Sequence, residues 1–305
     1  MTYPPPQDQG AERILVRIIQ RLFSPVRYLI DRGANLMGYR IARISFSDDH
    51  LYADYSNDSV SKRRFINVGA GDFIHANWTN VDYATDWYSE AQKVGFVNFD
   101  LTECRPLPFD GGTMEAVYSS HTIEHIPDDA VANFVSESFR TLKIGGVLRV
   151  TCPDARLLIR SVRLNRISYW KWREDWFSRP YSTNPDVNKI TIADYLIREI
   201  ATERCRFYKD SKNIIDPKEL NERIATHSDE EILDWMIEGL AFNNESPGNH
   251  INWWTFEKLE NLAREVGFQT VYRSGHGQSL CRPMTNLDLF DSTNPHNSLY
   301  LEAIR

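Results

Sequence analysis

The stretch Arg63–Phe73, "RRFINVGAGDF", decides the fold of this chain. A short apolar run enters a turn that contains Gly69 and Gly71, and this pattern predicts a buried strand followed by a tight loop. Glycine lets the backbone turn sharply and approach a ligand closely, so the loop is a candidate ligand-binding loop. Many turns contain Gly-x-Gly, and the assignment therefore depends on the segments that follow.

Carboxylates end the next two predicted strands. The run "WTNVDYA" ends its strand at Asp82, and "GFVNFDLTE" ends its strand at Asp100. The carboxyl ends of parallel strands share one edge of an open α/β sheet, where such folds bind ligands. There, Asp82 can accept hydrogen bonds from two ribose hydroxyls, and Asp100 can reach an adenine amino group. The alternative is that each aspartate caps a helix.

Strands and helices continue to alternate along the chain. Further strands are predicted at "MEAVYSS", "GVLRVTCPD", "QTVYRSG" and "NSLYLEAIR", and helices at "DDAVANFVSESFRTLK" and "TFEKLENLAREVGF". Asp128 or Asp129 is expected to cap the first of these helices, and Gly145-Gly146 to end it. The alternation predicts a mostly parallel sheet with helices on both faces.

Composition indicates an ordinary globular protein of 305 residues with a net charge of −7, which argues against general nucleic-acid binding. The four scattered cysteines favour reduced thiols in a cytoplasmic protein over a disulfide framework. The first ten residues lack the pattern of a signal peptide, and no apolar run approaches the ~18–20 residues that span a bilayer.

We expect an N-terminal helical extension over residues 1–60 and a second domain over 61–305. Within the second domain, residues 155–250 contain helical stretches, no clear strand and several tryptophans, so they predict a helical cap inserted after the fifth strand. Its aromatic residues can line a substrate pocket or form the insertion's own core. They are Tyr169, Trp170, Trp172 and Trp176.

The extension has a strong local charge. Residues 11–43 carry seven arginines against two acidic residues, a local charge of +5. Arg13, Arg17 and Arg21 recur every four residues and so share one face of an amphipathic helix. Such a helix can lie on an anionic membrane surface, or it can pack against the domain or a partner chain, for example in a homodimer.

The segment His121–His125 reads H-x-x-E-H, a zinc-peptidase motif. In such an enzyme both histidines must lie one turn apart on a helix and point at one ion. Here the motif directly follows a strand, and Pro127 leaves room for barely one helical turn. His250 or His276 could supply a third ligand, but their spacing singles out neither. We therefore expect no metal.

The whole run resembles a class I S-adenosylmethionine-dependent methyltransferase of the methyltransferase-11 type, in the subset associated with glycans and natural products. The matching phrases are "FINVGAGDF", "WTNVDYA", "LPFDGG", "SSHTIEHI" and "LKIGGVLRVTCPD", in this order and spacing. The resemblance is strong over 65–154 and weak over 250–304. It implies a Rossmann-like seven-stranded sheet of order 3-2-1-4-5-7-6 with the last strand antiparallel.

The resemblance also implies a set of residues that bind S-adenosylmethionine. They are Gly69, Ala70 and Gly71 at the methionine part, Asp82 with Tyr83 at the ribose, Asp100 with Leu101 at the adenine, and Ser119, Ser120 and His121 under the sulfonium. The chain departs from the family's pattern at Asn67, where an acidic residue is common, and at Phe73, where a third glycine is frequent. Glu115 likewise replaces an aspartate before the fourth strand.

The predicted function is O-methylation of a glycan, glycolipid or natural-product small molecule. Methyl transfer to an oxygen nucleophile needs a base. His250 is the preferred base because its segment returns towards the cofactor edge; His121, His125 and His276 are the other candidates. The departures at Asn67 and Phe73 motivate an alternative, a non-catalytic partner that keeps the fold. An NAD-dependent oxidoreductase is disfavoured because the third glycine is missing. The protein is expected in the cytoplasm, with membrane association if the acceptor is lipid-linked.

Overall fold

The computed structural model describes residues 48–84 and 95–305. The compact unit discussed here is Asp49–Arg305, so the predicted boundary at residue 60 falls inside it. The predicted arginine helix over residues 11–43 lies outside the described residues.

Seven strands form one sheet of order β3-β2-β1-β4-β5-β7-β6, as predicted. The strands β1–β7 span Phe65–Val68, Trp78–Asp82, Phe96–Asn98, Met114–Ser120, Leu142–Pro153, Thr270–Arg273 and Ser298–Ile304. The pairs from β3 through β5 are parallel, whereas β7 runs antiparallel to both β5 and β6. The carboxyl ends of β1, β2, β3, β4 and β5 therefore share one edge of the sheet.

Seven α-helices accompany the sheet in the described residues. The helices α1–α7 span Asn57–Ser61, Asp128–Thr141, Ala155–Arg163, Ile192–Ile200, Pro217–Thr226, Asp229–Ile237 and Phe256–Val266. Short 3-10 helices follow β3 and β4, at Leu101–Glu103 and Ile123–His125, and a longer one spans Ile167–Ser178. Among the described residues, no helix is long and apolar enough to cross a bilayer.

Two clusters of buried side chains cover the two faces of the sheet. Ile66, Val68 and Val117 pack with helices α2 and α7 on one face. On the other face, Phe65 and Trp78 pack with residues that include Tyr52, Tyr118 and Phe290. The alternation of side chains along each strand produces this division, because neighbouring residues point to opposite faces.

The predicted insertion forms a third cluster between β5 and α7. Trp170 and Trp176 are almost fully buried with apolar residues of α3, α4, α5 and α6. Tyr169 and Trp172 pack against this cluster. Of the two roles considered for these aromatic residues, the structure favours the insertion's own core.

The predicted cap of helix α2 is wrong. The N-cap residue is Pro127, whose side chain makes no cap bond, although Asp129 Oδ1 accepts a hydrogen bond from the Ala130 N–H in the first turn at 2.8 Å. The Asp128 carboxylate instead accepts hydrogen bonds from Asn252 Nδ2 at 2.9 Å and Lys258 Nζ at 3.1 Å. These long-range contacts compete successfully with the local one. The helix also ends at Thr141, before Gly145, because β5 begins directly at Leu142.

Candidate active site

The loop after β1 depends on glycine at two positions. Gly69 and Gly71 have φ values of +68° and +56°, in the left-handed region that glycine enters without strain. A Cβ atom on Gly69 would lie 2.1 Å from Thr122 Oγ1, which no side chain tolerates. Gly69 therefore lets the loop after β1 approach the segment that follows β4. Ala70 lies between the two glycines and is buried.

Asp82 links this loop to the end of β2. Its Oδ2 atom accepts a hydrogen bond from the Gly71 N–H at 2.8 Å, and its Oδ1 atom accepts one from the Tyr83 N–H at 2.7 Å. Burial raises the pKa of Asp82, and the two N–H groups oppose this shift. Each carboxylate oxygen retains a further lone pair, so the side chain can still accept hydrogen bonds from two ribose hydroxyls.

Asp100 caps the 3-10 helix Leu101–Glu103, which is the alternative considered for it. Its Oδ1 atom accepts hydrogen bonds from Thr102 N at 2.8 Å and Thr102 Oγ1 at 2.6 Å. Both bonds use the same carboxylate oxygen, so capping and contact with an adenine are compatible. Leu101 is half-buried and packs against the main core.

The end of β4 brings three predicted residues together. Ser120 Oγ accepts a hydrogen bond from Thr151 Oγ1 at 2.9 Å, and the His121 N–H donates to Thr151 O at 2.9 Å. His121 has a φ of +51°, which is uncommon for a residue with a side chain. Ser119 is buried, and within the described part of the chain its Oγ atom has no hydrogen-bond partner. A bound ligand is one way to satisfy such a hydroxyl.

Both ring nitrogens of His121 are engaged. Nδ1 lies 2.9 Å from Glu124 Oε1, and Nε2 lies 2.7 Å from Ser298 Oγ on β7. Glu124 is 1% exposed. Burial opposes its ionisation, but the neighbouring His121 and His125 hold the pKa of the Glu124 carboxyl below its usual value. Glu124 therefore remains a buried carboxylate at neutral pH.

The segment that returns from the insertion is hydrogen-bonded to the end of β4. The N–H groups of Ile251 and Asn252 both donate to Glu124 O, at 2.9 and 3.1 Å. Trp254 Nε1 donates to Ile123 O at 3.1 Å. The chain then makes a parallel bridge between Trp254 and Asp154, just beyond β5. These bonds fix His250 beside the predicted site.

His250 and His125 lie against each other, with ring centroids 4.8 Å apart and ring planes at 89°. Their Nδ1 atoms contact backbone carbonyl oxygens, His125 at Asn249 (3.0 Å) and His250 at Glu199 (2.5 Å). Burial and the nearby Arg198 and His125 hold the pKa of His250 well below its usual value. His250 is therefore neutral at physiological pH.

The structure thus brings together the Gly69–Gly71 loop and Asp82, Ser120 with His121, and His125 with His250. His276, the remaining candidate base, lies beside Tyr300 with a ring distance of 6.2 Å. The sequence analysis missed Glu199, Ser298 and Asn249 as partners of the histidines. No local pattern could have shown them, because each lies at least 51 positions from its partner. Glu199 and Asn249 also make these contacts through backbone oxygens.

Comparison with known proteins agrees with this geometry. Residues 66–150 match the family model described as "Methyltransferase domain". The match covers β1 to β5 with the glycine loop, Asp82, Asp100 and the end of β4. No curated protein sequence matches the chain.

Solved structures of S-adenosylmethionine-dependent methyltransferases show a distant likeness. The methyltransferase SibL has 11% identity over 79% of this chain, a TM-score of 0.37, and this chain spans only 50% of its length. A methyltransferase from Archaeoglobus fulgidus has 11% identity over 79% of this chain and 85% of its own, with a TM-score of 0.37. One from Thermotoga maritima has 13% identity over 84% of this chain and 98% of its own, also with a TM-score of 0.37.

These likenesses are too remote to support an argument, and the fold class rests on the strand order. The sheet has the strand order of a class I, Rossmann-like fold, and residues 66–150 match a methyltransferase domain. Its cofactor is S-adenosylmethionine, whose methyl group is electrophilic when the cofactor is bound.

Proposed function

We propose that the protein is an O-methyltransferase that acts on a hydroxyl of a glycan, glycolipid or natural-product small molecule. The observation that carries this proposal is the position of His250. The return segment places this buried, neutral histidine against the end of β4. In the family that the sequence resembles, that strand end lies under the reactive methyl group.

The cofactor would be held by the residues that the sequence analysis named. Gly69, Ala70 and Gly71 form a tight loop that the cofactor could approach closely, and Asp82 offers free lone pairs at the end of β2. The other proposed contacts come from Tyr83, Asp100, Leu101, Ser119, Ser120 and His121. Of these, Ser119 Oγ has an unused donor and acceptor within the described residues.

The chain's own contribution to methyl transfer would be orientation and removal of a proton. His121 is poorly suited as the base because both of its nitrogens are engaged. His125 and His250 donate Nδ1–H to backbone carbonyls, so Nε2 of each neutral ring can accept a proton. Burial and the neighbouring charges lower the pKa of His250, which keeps the ring neutral but also weakens it as a base, so we assign the base to His250 on its position beside the end of β4.

The insertion would select the acceptor. It leaves the sheet after β5 and returns at His250, and Glu199 O of helix α4 holds the His250 ring. A segment anchored at both ends beside the cofactor edge is placed to contact the acceptor and to exclude water from the transfer.

A lipid-linked acceptor would explain the charge of residues 11–43. Each arginine near an anionic surface adds roughly 1 kcal/mol of attraction, so a helix with Arg13, Arg17 and Arg21 on one face can hold a protein at a membrane. Deleting residues 1–45 should abolish co-sedimentation with anionic vesicles at low salt and spare cofactor binding. Full-length protein that ignores such vesicles would favour a soluble acceptor and a packing or homodimer role for this segment.

Transfer of a radiolabelled methyl group to a panel of glycans, glycolipids and hydroxylated natural products tests the proposed activity. The product should carry a methyl ether, identified by mass spectrometry, and His250→Ala should lower kcat strongly while S-adenosylhomocysteine still binds. Binding of the cofactor without transfer to any acceptor would support the non-catalytic alternative. Absence of cofactor binding would refute both.

A further inference from the structure

The buried Glu124 and His250 and the half-buried His125 form a cluster. One ligand atom from each side chain can be chosen such that all three lie within 4.8 Å of one another. Glu124 and His125 belong to the 3-10 helix after β4, and His250 belongs to the return segment. Backbone hydrogen bonds from Ile251 and Asn252 to Glu124 O hold these two pieces together.

The hydrogen bonds of the two histidines fix their protonation. A carbonyl oxygen only accepts, so the contacts to Asn249 O and Glu199 O require a hydrogen on each Nδ1. In the neutral rings both Nε2 atoms then carry lone pairs. A backbone carbonyl that orients the far nitrogen of a histidine is the arrangement commonly found behind metal-binding imidazoles.

The Glu124 carboxylate adds more lone pairs to the same place. Its Oε1 atom lies 3.9 Å from His125 Nε2 and 2.9 Å from His121 Nδ1. Its Oε2 atom is buried and, within the described part of the chain, lacks a hydrogen-bond partner. One potential ligand atom from each of the three side chains thus lies within 4.8 Å of the others, while His121 faces Glu124 as a donor. His121 offsets part of the Glu124 charge, and a bound cation would engage the lone pairs that remain.

The arginines near His250 already serve another carboxylate. Arg173 Nε and Arg198 Nη1 each lie 2.6 Å from Glu199 Oε1, and Arg173 Nη2 also binds Glu199 Oε2 at 2.9 Å. Their charges are thus engaged by a second buried glutamate, which leaves Glu124 without an arginine of its own.

We propose that Glu124, His125 and His250 bind one divalent first-row transition-metal ion through a carboxylate oxygen and the two Nε2 atoms. Two imidazoles and one carboxylate favour ions such as Zn²⁺, Mn²⁺ or Co²⁺ over Mg²⁺. Ligands at about 2.1 Å from one ion lie within about 4.2 Å of one another, so small side-chain rotations complete the set. Three protein ligands leave coordination positions open.

This ligand set differs from the zinc-peptidase set that the H-x-x-E-H motif suggests. His121 is not among the ligands; its Nδ1 instead faces the ligand Glu124 and its Nε2 contacts Ser298. No metal was expected from the sequence because the motif follows a strand, Pro127 leaves barely one helical turn, and spacing singled out neither His250 nor His276 as a third ligand. The long return of the chain to His250 supplies what that local argument lacked.

The role of the ion, unlike its binding, rests on the proposed function. A divalent ion lowers the pKa of a bound hydroxyl. With the ion bound, the Nε2 lone pair of His250 would be a metal ligand and His250 could not act as the base; an acceptor hydroxyl in an open coordination position would then lose its proton to water. The acceptor oxygen would form the new bond to the methyl carbon of S-adenosylmethionine as the bond between that carbon and the sulfur breaks.

Metal binding can be measured without cofactor or acceptor. Full-length protein stripped with a chelator should bind one equivalent of Zn²⁺ or Mn²⁺ in calorimetry and bind Mg²⁺ far more weakly. Co²⁺ should give visible absorption bands with the intensity expected of mixed nitrogen and oxygen ligands. His250→Ala and Glu124→Gln should each weaken Zn²⁺ binding by about a hundredfold or more. The matched control is His227→Ala, since His227 is an exposed histidine outside the cluster.

Thermal melting of each stripped variant shows whether it is folded. If His250→Ala fails to fold, Glu124→Gln, which preserves side-chain shape, decides the question. Stoichiometric binding that both variants leave unchanged, or no Zn²⁺ binding at micromolar concentration, would overturn the proposal. Metal binding without methyl transfer would support the metal site and count against the proposed function. Methyl transfer that continues after chelation would refute the catalytic role of the ion.

Discussion

Replacing Asp82 with alanine tests the cofactor site most directly. The Asp82 carboxylate accepts hydrogen bonds from the N–H groups of Gly71 and Tyr83, at 2.8 and 2.7 Å. If it also binds the ribose, Asp82→Ala leaves two ligand hydroxyls unpaired. That loss should cost about 2–3 kcal/mol of binding free energy, or roughly 30- to 150-fold in the dissociation constant for S-adenosylhomocysteine.

The variant also disturbs the protein itself, and the two effects must be separated. Hydrogen bonds to charged groups each contribute about 1.5–3 kcal/mol, so loss of the Gly71 contact can loosen the loop before any ligand binds. An analogue of S-adenosylhomocysteine that lacks the ribose 2′-hydroxyl distinguishes the cases. Direct contact predicts a smaller loss on Asp82→Ala for the analogue than for the parent ligand, because one partner is already absent.

Isothermal titration of both ligands against the wild type, Asp82→Ala and Asp72→Ala gives the required comparison. Asp72 is an exposed aspartate in the same loop and serves as the control, with affinity expected within about threefold of the wild type. A change below about threefold for Asp82→Ala would show that the carboxylate does not contact the cofactor. Equal losses for both ligands would mean that Asp82 acts only by shaping the loop.

Two further predictions concern stability. Gly69→Ala should lower the free energy of unfolding, measured in urea, by more than the ~1–2 kcal/mol that a left-handed alanine costs, because the new Cβ atom would clash with Thr122 Oγ1. Adding Thr122→Ala should recover part of the loss. Burial works against ionisation of Glu137, but hydrogen bonds from Arg140 and the Leu107 N–H hold its pKa below the ordinary 4.5. The carboxylate therefore stabilises the fold above pH 4.5 and loses this contribution as the pH falls. Glu137→Gln should make the free energy of unfolding depend less on pH on the acid side. An unchanged pH dependence would refute this.

The sheet could be predicted from the sequence because each strand has a local pattern. Phe65–Val68 is a short, mostly apolar run that leads into a glycine loop, and Trp78–Asp82 is a short segment that ends at a carboxylate; the structure contains both strands. The resemblance then gave the strand order, which periodicity alone cannot give. The helix cap at Asp128 failed for the opposite reason, since a contact with Asn252, distant in sequence, replaced the local one.

The surroundings of the histidines could be predicted only in part. The tendency of the chain to return to the cofactor edge suggested that His250 lies near the site, but its partner Glu199 O lies 51 positions away and has no side-chain signature. Ser298, which contacts His121, lies 177 positions away on β7. Such contacts arise from the packing of the insertion and the last strand, which no local motif encodes.

The position of His250 is fixed mainly through backbone groups, and this has a consequence for specificity. Ile251 N, Asn252 N and Glu124 O hold the return segment, while Asn249 O and Glu199 O orient the two rings. The side chain of the insertion that joins these bonds is the buried Thr202, whose Oγ1 accepts a hydrogen bond from the His250 N–H at 3.0 Å. The surface of the insertion can therefore change to fit another acceptor while His250 keeps its place. Under the proposed function, acceptor choice and chemistry would reside in separable parts of the chain, so exchanging exposed residues of the insertion should alter which hydroxyl compound is used without moving the histidine cluster.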